Sequence, residues 1–403
     1  MRKSLQAILF SKAFLLGTIA PIFILLLTAH GATVQTVSLF VGMASLFTLL
    51  AEFPSGVFAD LFGRKRSFLL SLLLQMAAYA LLLMFRSALS LAGAMTLYGL
   101  SRAFVSGSVE ALAIDEADGK ETLVRITSRL NVLESAGLAL GSLASGVLAA
   151  LLPDYTGNIL FSAGGYAAIL LITLFAVRES AHIERSTHAP RLKAHLGKSF
   201  SVVLKSRTVR MLFILSSLTA LAMVTVETYW QPAFKAFSHS TLAFGVVGFI
   251  GFGGVVAGSK LTEFLLTRLP QSGIAVFLLS KALMSVCLAA LMAATLQVPF
   301  VLVYLLWYVF LGGNGVAEQT LLNRETPAAQ RASVLSLLSF VFRIGSLFAS
   351  LFCYFVSSGM DYRYSWLFAA ILLGGATLAF AMPGLRRVSQ RRRGRAQALK
   401  KLT

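Results

Sequence analysis

Charged residues are scarce in this sequence. Asp, Glu, Lys and Arg make up 13% of its 403 residues, whereas a soluble globular domain carries about 25%. Hydrophobic residues make up 57% of the chain. This deficit of charge argues against an ordinary soluble protein and indicates that lipid is the solvent for most of the chain.

Cysteine and histidine are also rare. The two cysteines, Cys287 and Cys353, both lie inside apolar runs, so they predict neither a disulfide framework nor a metal site. The five histidines lie in loops or on predicted surfaces. His188 and His195 are seven residues apart, and we interpret them as a solvated helix face. No metal and no cofactor are therefore predicted.

Acidic residues are few, with 16 Asp and Glu against 35 Lys and Arg, which gives a net charge of +19. The basic residues form short clusters between apolar runs, without the polar, aromatic-rich segment that reads bases, so we expect no nucleic-acid partner. A "GKS" triplet at 197–199 is preceded by Leu192 where a phosphate-binding loop needs glycine, which argues against ATP.

Long apolar runs, by contrast, are abundant. A membrane-spanning helix needs about 20 mostly apolar residues, and twelve such runs occur. They lie near 6–28, 34–58, 66–86, 89–113, 129–152, 157–177, 207–230, 241–264, 272–294, 298–321, 331–356 and 363–383. The sequence thus predicts an N-terminal six-helix bundle (1–177), a linker with an amphipathic helix (178–206), a C-terminal six-helix bundle (207–383) and a basic tail (384–403).

The basic residues are distributed asymmetrically between the two sets of connections. Twenty-seven of the 35 fall at the termini and in the loops on the same side, and three fall on the opposite side: Arg86, Lys235 and Arg363. Because Lys and Arg collect in cytoplasmic loops, this pattern predicts that both termini face the cytoplasm of a multi-pass protein in the cell membrane.

The two predicted bundles resemble each other weakly. Three pairs of positions are related by offsets of 208, 202 and 202 residues: Glu110 and Glu318, Arg129 and Arg331, and Gly56 and Gly258. Nearly constant offsets close to half the chain length indicate a duplicated unit. A unit of six helices inserts both copies the same way round, which predicts parallel repeats around a central cavity.

The segment "GVFADLFGRKR" (56–66) lies between the second and third predicted helices, after "EFPSG" (52–56). Both stretches resemble a signature of the major facilitator superfamily, and most closely its bacterial twelve-helix exporters. The resemblance implies an all-α membrane protein, with twelve transmembrane helices in two parallel-repeat six-helix bundles. The implied gate and signature residues are Glu52, Gly56, Asp60, Gly63, Arg64, Lys65 and Arg66.

Physical chemistry suggests a role for each part of this signature. Gly56 would let its helix approach a neighbour, Gly63 would permit a tight turn, and the basic triplet would hold the loop at the cytoplasmic face. In the family, the aspartate faces the N-terminus of helix 11, here expected after Thr326 as a cap. The family often has a basic residue after the aspartate, where this chain has Leu61.

Ionisable residues within apolar spans are costly and are candidates for function. Arg102, Ser106 and Glu110 are spaced four apart on one face of the fourth helix, and the tenth helix repeats the last two as Asn314 and Glu318. The resemblance links the arginine to proton transfer, although a structural hydrogen-bonding role is the alternative. The proton-coupling candidates are Glu110, Arg102, Glu134 and Glu318, and the glutamates are alternatively gate-stabilising.

Other polar residues in the spans are candidates for lining the cavity: Lys12, Ser106, Glu227, Trp230, Lys281, Asn314 and Arg343. We interpret Trp230 alternatively as an anchor at the lipid interface. Arg102, Lys281 and Arg343 place positive charge at depth. Either they favour an anionic group on the substrate, or the glutamates neutralise them.

We therefore expect a secondary transporter that works by alternating access, with proton-coupled efflux of a small organic compound. Uptake of a nutrient, sugar or organic acid is the alternative within this class. A non-transporting receptor and a membrane-embedded enzyme are the alternatives outside it, but no zinc ligand set or nucleophile elbow supports an enzyme. The expected partners are a small organic substrate, protons and lipid, with the protein acting as a monomer.

Overall fold

The computed structural model describes residues 3–105, 123–177, 203–326 and 330–400. These residues form helices joined by short turns, with no strand among them. Twelve of the helices are long and apolar enough to cross a membrane. The predicted all-α architecture is therefore confirmed.

The first half of the molecule contains six spans. The helices are α1 (Lys3–Ile19, continued after a 3-10 turn at Ala20–Ile22 as Phe23–Ala29), α2 (Val37–Phe62), α3 (Arg64–Met84), α4 (Ala88–Val105), α5 (Leu123–Leu151) and α6 (Thr156–Ala176). The break in α1 follows from Pro21, whose ring removes a backbone donor and crowds the carbonyl one turn earlier.

The second half contains the other six spans. The helices are α7 (Arg207–Lys235), α8 (Thr241–Arg268), α9 (Gly273–Ala293), α10 (Gln297–Glu325), α11 (Arg331–Gly359) and α12 (Tyr364–Lys400). The apolar part of α12 ends at Met382 and its basic part continues as helix to Lys400. With an even number of spans, both ends of the chain lie at one face of the membrane, which we call the terminal face; the other is the distal face.

Eleven of the predicted spans agree with these helices to within about six residues. The fourth, 89–113, is described only as far as Val105, so its predicted end stays a prediction. The expected amphipathic helix of the linker, including His188 and His195, lies outside the described residues except for 203–205. Thr326 follows α10 but does not cap α11, since Gln330 is the residue that precedes α11. That expectation was wrong.

Packing within the halves repeats in the same order. In the first half α1 packs on α5 and α6, α4 packs on α2 and α3, and α3 packs on α6. In the second half α7 packs on α11 and α12, α10 packs on α8 and α9, and α9 packs on α12. Each contact in one half thus has its counterpart six helices later, as the duplicated sequence predicted.

Contacts between the halves follow the same symmetry. The main ones join α5 to α8 and α2 to α11. The repeat relates one pair to the other, because α2 corresponds to α8 and α5 corresponds to α11. The interface between the halves is therefore built mainly from two equivalent helix pairs, and α1 also contacts α7 and α8 across it.

Glycines bring certain helices into backbone contact. A Cβ on Gly99 of α4 would lie 2.4 Å from the Ala44 carbonyl oxygen of α2, and a Cβ on Gly312 of α10 would lie 2.1 Å from the Val255 oxygen of α8. The two contacts lie at different depths along their helices, but both join the corresponding helix pair of their half. A glycine-mediated close approach is thus present in each copy of the repeat.

Gly312→Ala should destabilise the protein, because the added methyl group forces α8 and α10 apart. Overpacking of this kind costs about 1–3 kcal/mol. Gly315→Ala is the matched control on the same helix, since no described atom lies within 4 Å of its added Cβ. Thermal unfolding of the purified protein should show a lower midpoint for Gly312→Ala alone. Equal midpoints for the two variants would show that the α8–α10 contact is not close.

Candidate functional site at the interface between the halves

The signature loop forms a tight turn between α2 and α3. Gly63 has φ +96°, a backbone conformation that favours glycine, and it separates the end of α2 from the start of α3. Lys65 donates a hydrogen bond of 2.9 Å to the Leu174 carbonyl at the end of α6. The tight turn predicted at Gly63 is present, and Lys65 ties this turn to the last helix of the same half.

Two other expectations for the signature have different outcomes. No described atom lies within 4 Å of a Cβ placed on Gly56, so the expected close helix approach is not found among the described residues. The side chain of Asp60 and residues 327–329 before α11 lie outside what the structure describes. The pairing of Asp60 with the N-terminus of α11 therefore stays a prediction.

Glu52 and Arg343 form an ion pair between the halves. Arg343 Nε of α11 lies 2.9 Å from Glu52 Oε2 of α2, although these atoms are not aligned for a hydrogen bond. The side chains are 27% and 34% exposed, so water screens the pair only in part. Glu52 is ten residues, or about 15 Å, from the end of α2. The pair thus joins the halves on the terminal side of the membrane centre.

Arg102 and Glu134 lie near each other in the first half. The Arg102 guanidinium is 3.4 Å from the Tyr98 hydroxyl and 5.8 Å from its ring centroid, and it interacts electrostatically with Glu134 of α5. Tyr98 also packs against Phe23 of α1, with ring centroids 5.8 Å apart. The sequence predicted both charged residues as proton-coupling candidates, and the structure adds Tyr98 between Arg102 and α1.

Three further candidates belong to the first half. Lys12 is partly buried in α1. Ser106 and Glu110 lie outside the described residues, so the predicted polar face of α4 is described only at Arg102.

Lys281 lies inside the second half. Its side chain is 0% exposed and donates hydrogen bonds to the Thr219 hydroxyl and, at 3.5 Å, to the Leu215 carbonyl of α7. The ammonium group also lies 5.0 Å from the Phe277 ring centroid and interacts electrostatically with Glu318. A buried amine satisfied in this way stabilises the packing of α7, α9 and α10.

Asn314 and Glu318 are neighbours on α10 within the same bundle. Asn314 Nδ2 donates to Glu318 Oε2 at 3.5 Å, and both side chains are buried. Glu318 therefore faces Lys281 inside the bundle, whereas Glu52 and Arg343 face each other between the bundles.

Glu227 lies where the halves meet. The Tyr308 hydroxyl of α10 donates a hydrogen bond to Glu227 Oε1. A small cavity of about 20 Å³ adjoins this carboxyl group. We call it the Glu227 pocket, and its lining is Ala20, Pro21, Glu227, Trp230, Gly248, Phe252, Tyr304 and Tyr308. Ala20 and Pro21 come from the first half and the other residues from the second.

Trp230 belongs to an aromatic cluster within the protein. It is 2% exposed, and its ring centroid lies 5.0 Å from that of Tyr304. The interpretation of Trp230 as an anchor at the lipid interface is therefore wrong, because its ring is covered by α8 and α10. Trp230 instead lines the Glu227 pocket, and its predicted role in lining a substrate cavity stays a prediction.

The break in α1 is bridged by a side chain from the other half. Gln231 of α7 accepts hydrogen bonds from Ile24 N at 2.8 Å and Leu25 N at 3.4 Å, and its Nε2 donates to the Ala20 carbonyl at 3.0 Å. An uninterrupted α-helix would bond Ile24 N directly to the Ala20 oxygen. The amide of Gln231 thus takes the place of a missing helical hydrogen bond, and we call these contacts the Gln231 bridge.

Further close contacts join the halves at the distal face. A Cβ on Gly42 of α2 would lie 2.9 Å from Ser350 of α11, and one on Gly146 of α5 would lie 2.7 Å from the backbone of Leu242 of α8. All four positions lie towards the distal ends of their helices. The halves are therefore in close contact at this face, beneath a surface cleft of about 510 Å³ lined in part by Asp154 and Lys235.

The sequence did not assign a role to Gln231, Tyr304 or Tyr308. The available signals were Pro21 in the middle of an apolar run and Gln231 four residues after Glu227, on the same helix face. Neither signal identifies its partner, because the partners lie on helices more than 70 residues away. No group of three or more His, Cys, Asp or Glu side chains in the described ranges is arranged to hold a metal ion.

Gln231→Leu should weaken contact between the halves at the distal face, because the Ile24 N–H loses its acceptor within the protein. Leaving such a group unsatisfied costs about 1–3 kcal/mol. Spin labels at Thr33 and Ser240 report the distance between the halves at this face, and the variant should populate longer distances.

Asn158→Leu is the control for the Gln231 change. Asn158 is also buried and donates hydrogen bonds to the carbonyls of Thr18 and Ser145, but only within the first half. This variant should lower thermal stability without changing the distance distribution. Identical distributions for Gln231→Leu and the parent would show that the bridge does not hold the halves together.

Breaking the Glu52–Arg343 pair should separate the halves at the terminal face. Glu52→Gln leaves the Arg343 charge without its partner. The expected cost lies between about 0.5 kcal/mol for an exposed pair and about 4 kcal/mol for a buried pair. Labels at Leu61 and Thr267 measure this separation. The exchanged pair, Glu52→Arg with Arg343→Glu, should restore the parent distances.

The pair of Lys260 and Glu263 offers a matched control within α8, with a distance of 2.9 Å between Nζ and Oε2. Lys260→Gln should leave the distances unchanged. If the exchanged Glu52–Arg343 pair behaves like the single change, the contact is incidental.

Comparison with known proteins gives a consistent result. Residues 7–350 match the family described as Major Facilitator Superfamily. The chain is 26% identical over 396 residues to an "uncharacterized MFS-type transporter", YxaM, of Bacillus subtilis (strain 168), with 90% of each chain covered.

Solved structures show the same architecture. The nucleoside transporter NupG superposes with a TM-score of 0.79 at 12% identity, covering 94% of this chain and 98% of that one. A POT family transporter in complex with 5-aminolevulinic acid gives a TM-score of 0.72 at 12% identity, covering 94% and 95%. At such identities the likeness shows the fold alone. The fold and the sequence match together show that this chain belongs to the Major Facilitator Superfamily.

Proposed function

We propose that this multi-pass membrane transporter exports a small organic solute across the cell membrane by alternating access, in exchange for protons. Membership of a transporter family makes the chain a transporter rather than an enzyme. The asymmetric distribution of Lys and Arg supports a cytoplasmic terminal face. The direction, the coupling ion and the orientation are parts of this proposal.

The observation that carries proton coupling is the position of Glu227. Its carboxyl group lies between the halves, accepts a hydrogen bond from Tyr308 and has no ion-pair partner among the described residues. A carboxyl group whose contact with water changes between conformations also changes in how readily it holds a proton. It is therefore suited to take up a proton in one conformation and release it in another.

The surroundings of Glu227 depend on contact between the two halves. Two walls of the Glu227 pocket, Ala20 and Pro21, belong to the first half. When the halves separate at the distal face, α1 moves away from Glu227 and water replaces it. A proton from the distal side can then reach the carboxyl group, and it is released after the halves open at the terminal face.

The candidates predicted from the sequence remain part of the proposal. Arg102 and Glu134 form an electrostatic pair in the first half, and Glu110 extends the same helix face by sequence. Glu52 and Arg343 serve as an interaction between the halves, together with the signature residues from Gly56 to Arg66. Glu318 has a weaker claim to proton coupling, because it faces a buried lysine inside the bundle.

Proton coupling can be measured in proteoliposomes that contain a pH-sensitive dye. A collection of small organic compounds, including amines, acids and nucleosides, is added in turn to vesicles without a pH gradient. A transported compound should move protons in the opposite direction, and the sign of the pH change gives the direction of coupling. Glu227→Gln should abolish this proton movement while retaining downhill exchange of the compound.

Glu263→Gln is the matched control, since Glu263 pairs with Lys260 on the exposed face of α8. This variant should move protons as the parent does. Compound flux without proton movement in the parent would refute proton coupling. Proton movement that persists in Glu227→Gln would assign coupling to another carboxyl group, with Glu110 and Glu134 as the next to test.

A further inference from the structure

The rings around Glu227 form a nearly continuous aromatic wall. The centroids of Trp230 and Tyr304 are 5.0 Å apart, and those of Tyr304 and Tyr308 are 4.7 Å apart. Phe252 lines the same cavity from α8. A carboxyl group therefore lies beside several aromatic side chains, at a boundary that both halves share.

The charged side chains deep within the membrane-spanning helices differ in whether they have a charged partner. Arg343 is paired with Glu52, Lys281 is satisfied by Thr219 and Leu215 inside the second half, and Arg102 is associated with Tyr98 and Glu134. Each deep basic group thus has protein partners of its own. Among the described residues, no basic group forms an ion pair with Glu227. The carboxyl group of Glu227 is therefore the charged group at this interface with which a cationic ligand can pair.

Carboxylates and aromatic faces both attract organic cations. A cation over the face of Trp or Tyr interacts with the ring quadrupole, and the interaction is strongest where water is excluded. We propose that the Glu227 pocket binds the ammonium group of an organic cation that carries an apolar or aromatic body. This inference rests on the proposed function, since it names the substrate class of that transporter.

The pocket must enlarge before it can hold such a ligand. A volume of about 20 Å³ accommodates about one water molecule. Its walls from α1 are held in place by the Gln231 bridge, directly beside the pocket. Movement of α1 with the first half would enlarge the space above Glu227. Opening at the terminal face then admits the cation, and separation of the halves at the distal face releases it as a proton takes its place.

Protons compete with the cation for the same carboxyl group. The titratable groups that face Glu227 are Tyr304 and Tyr308 of α10. The other elements around the pocket contribute Ala20 and Pro21 from α1, and Gly248 and Phe252 from α8. Neither α1 nor α8 thus contributes a titratable side chain to the lining. Exchange of one cation for one proton at Glu227 then couples the two movements.

The test compares two probes of nearly equal shape on the purified full-length protein. Benzyltrimethylammonium carries a positive charge, and neopentylbenzene replaces its nitrogen by carbon and is neutral. Thermal unfolding over a range of probe concentrations gives an apparent affinity, because a ligand of the folded state raises stability by mass action. The cation should bind at least about tenfold more tightly than its neutral isostere, as expected for losing an interaction with a charged partner.

Two variants test whether Glu227 is the residue that binds the cation. Glu227→Gln should reduce the affinity for the cation by about tenfold or more and leave the affinity for the neutral probe nearly unchanged. Glu263→Gln should bind both probes like the parent. Lower pH should weaken binding of the cation to the parent by up to about tenfold per pH unit, but not binding to Glu227→Gln.

Each outcome decides the inference. Equal affinity for both probes in the parent would overturn it, and this comparison needs no variant, so it holds even if Glu227→Gln fails to fold. A cation preference that survives in Glu227→Gln would also overturn the assignment of the site. The proposed function fails separately, if the vesicle measurement shows no proton movement while cation binding still depends on Glu227.

Discussion

Backbone hydrogen bonds that are broken within a membrane must be satisfied by protein, because hydrocarbon offers no partner. In this transporter, Pro21 breaks α1 in its distal half, and the amide of Gln231 from the other half restores the lost connection. The integrity of α1 is thus tied to contact between the halves. Closure of the distal face and formation of the Glu227 pocket both depend on that contact.

Charges follow the same constraint, since each ionised group in a membrane needs a partner or water. Among the described residues, Lys281 finds its partners inside one bundle, whereas Glu52 and Arg343 find each other across the interface. A partner within a bundle stabilises that bundle in every conformation. A partner across the interface stabilises only the conformation in which the halves meet, so these two residues bias the conformational equilibrium.

Glu227 differs from both cases because an aromatic wall and one hydroxyl group replace a basic partner. The repeat does not supply an equivalent carboxyl group in the first half, where Tyr98 and Phe23 accompany the cationic Arg102. The two bundles share their helix packing, but the first half places the cationic Arg102 beside Tyr98, whereas the second half places the carboxyl group of Glu227 beside Tyr308. Duplication thus conserved the scaffold, in which Gly99 and Gly312 each bring the corresponding helix pair of their half into close contact, while the groups at the interface diverged.

The sequence by itself determined the twelve spans, their order in two parallel repeats and the family, because hydropathy and basic-residue patterns act locally along the chain. It also indicated Glu52, Glu227 and Arg343 as costly residues within spans. It did not indicate that Glu52 meets Arg343, that Trp230 is buried by α8 and α10, or that Gln231 bridges α1. Those facts depend on the rotation of each helix and on contacts between residues up to 291 positions apart. Only the tertiary structure decides them, since an apolar helix has no polar face to fix its orientation in lipid.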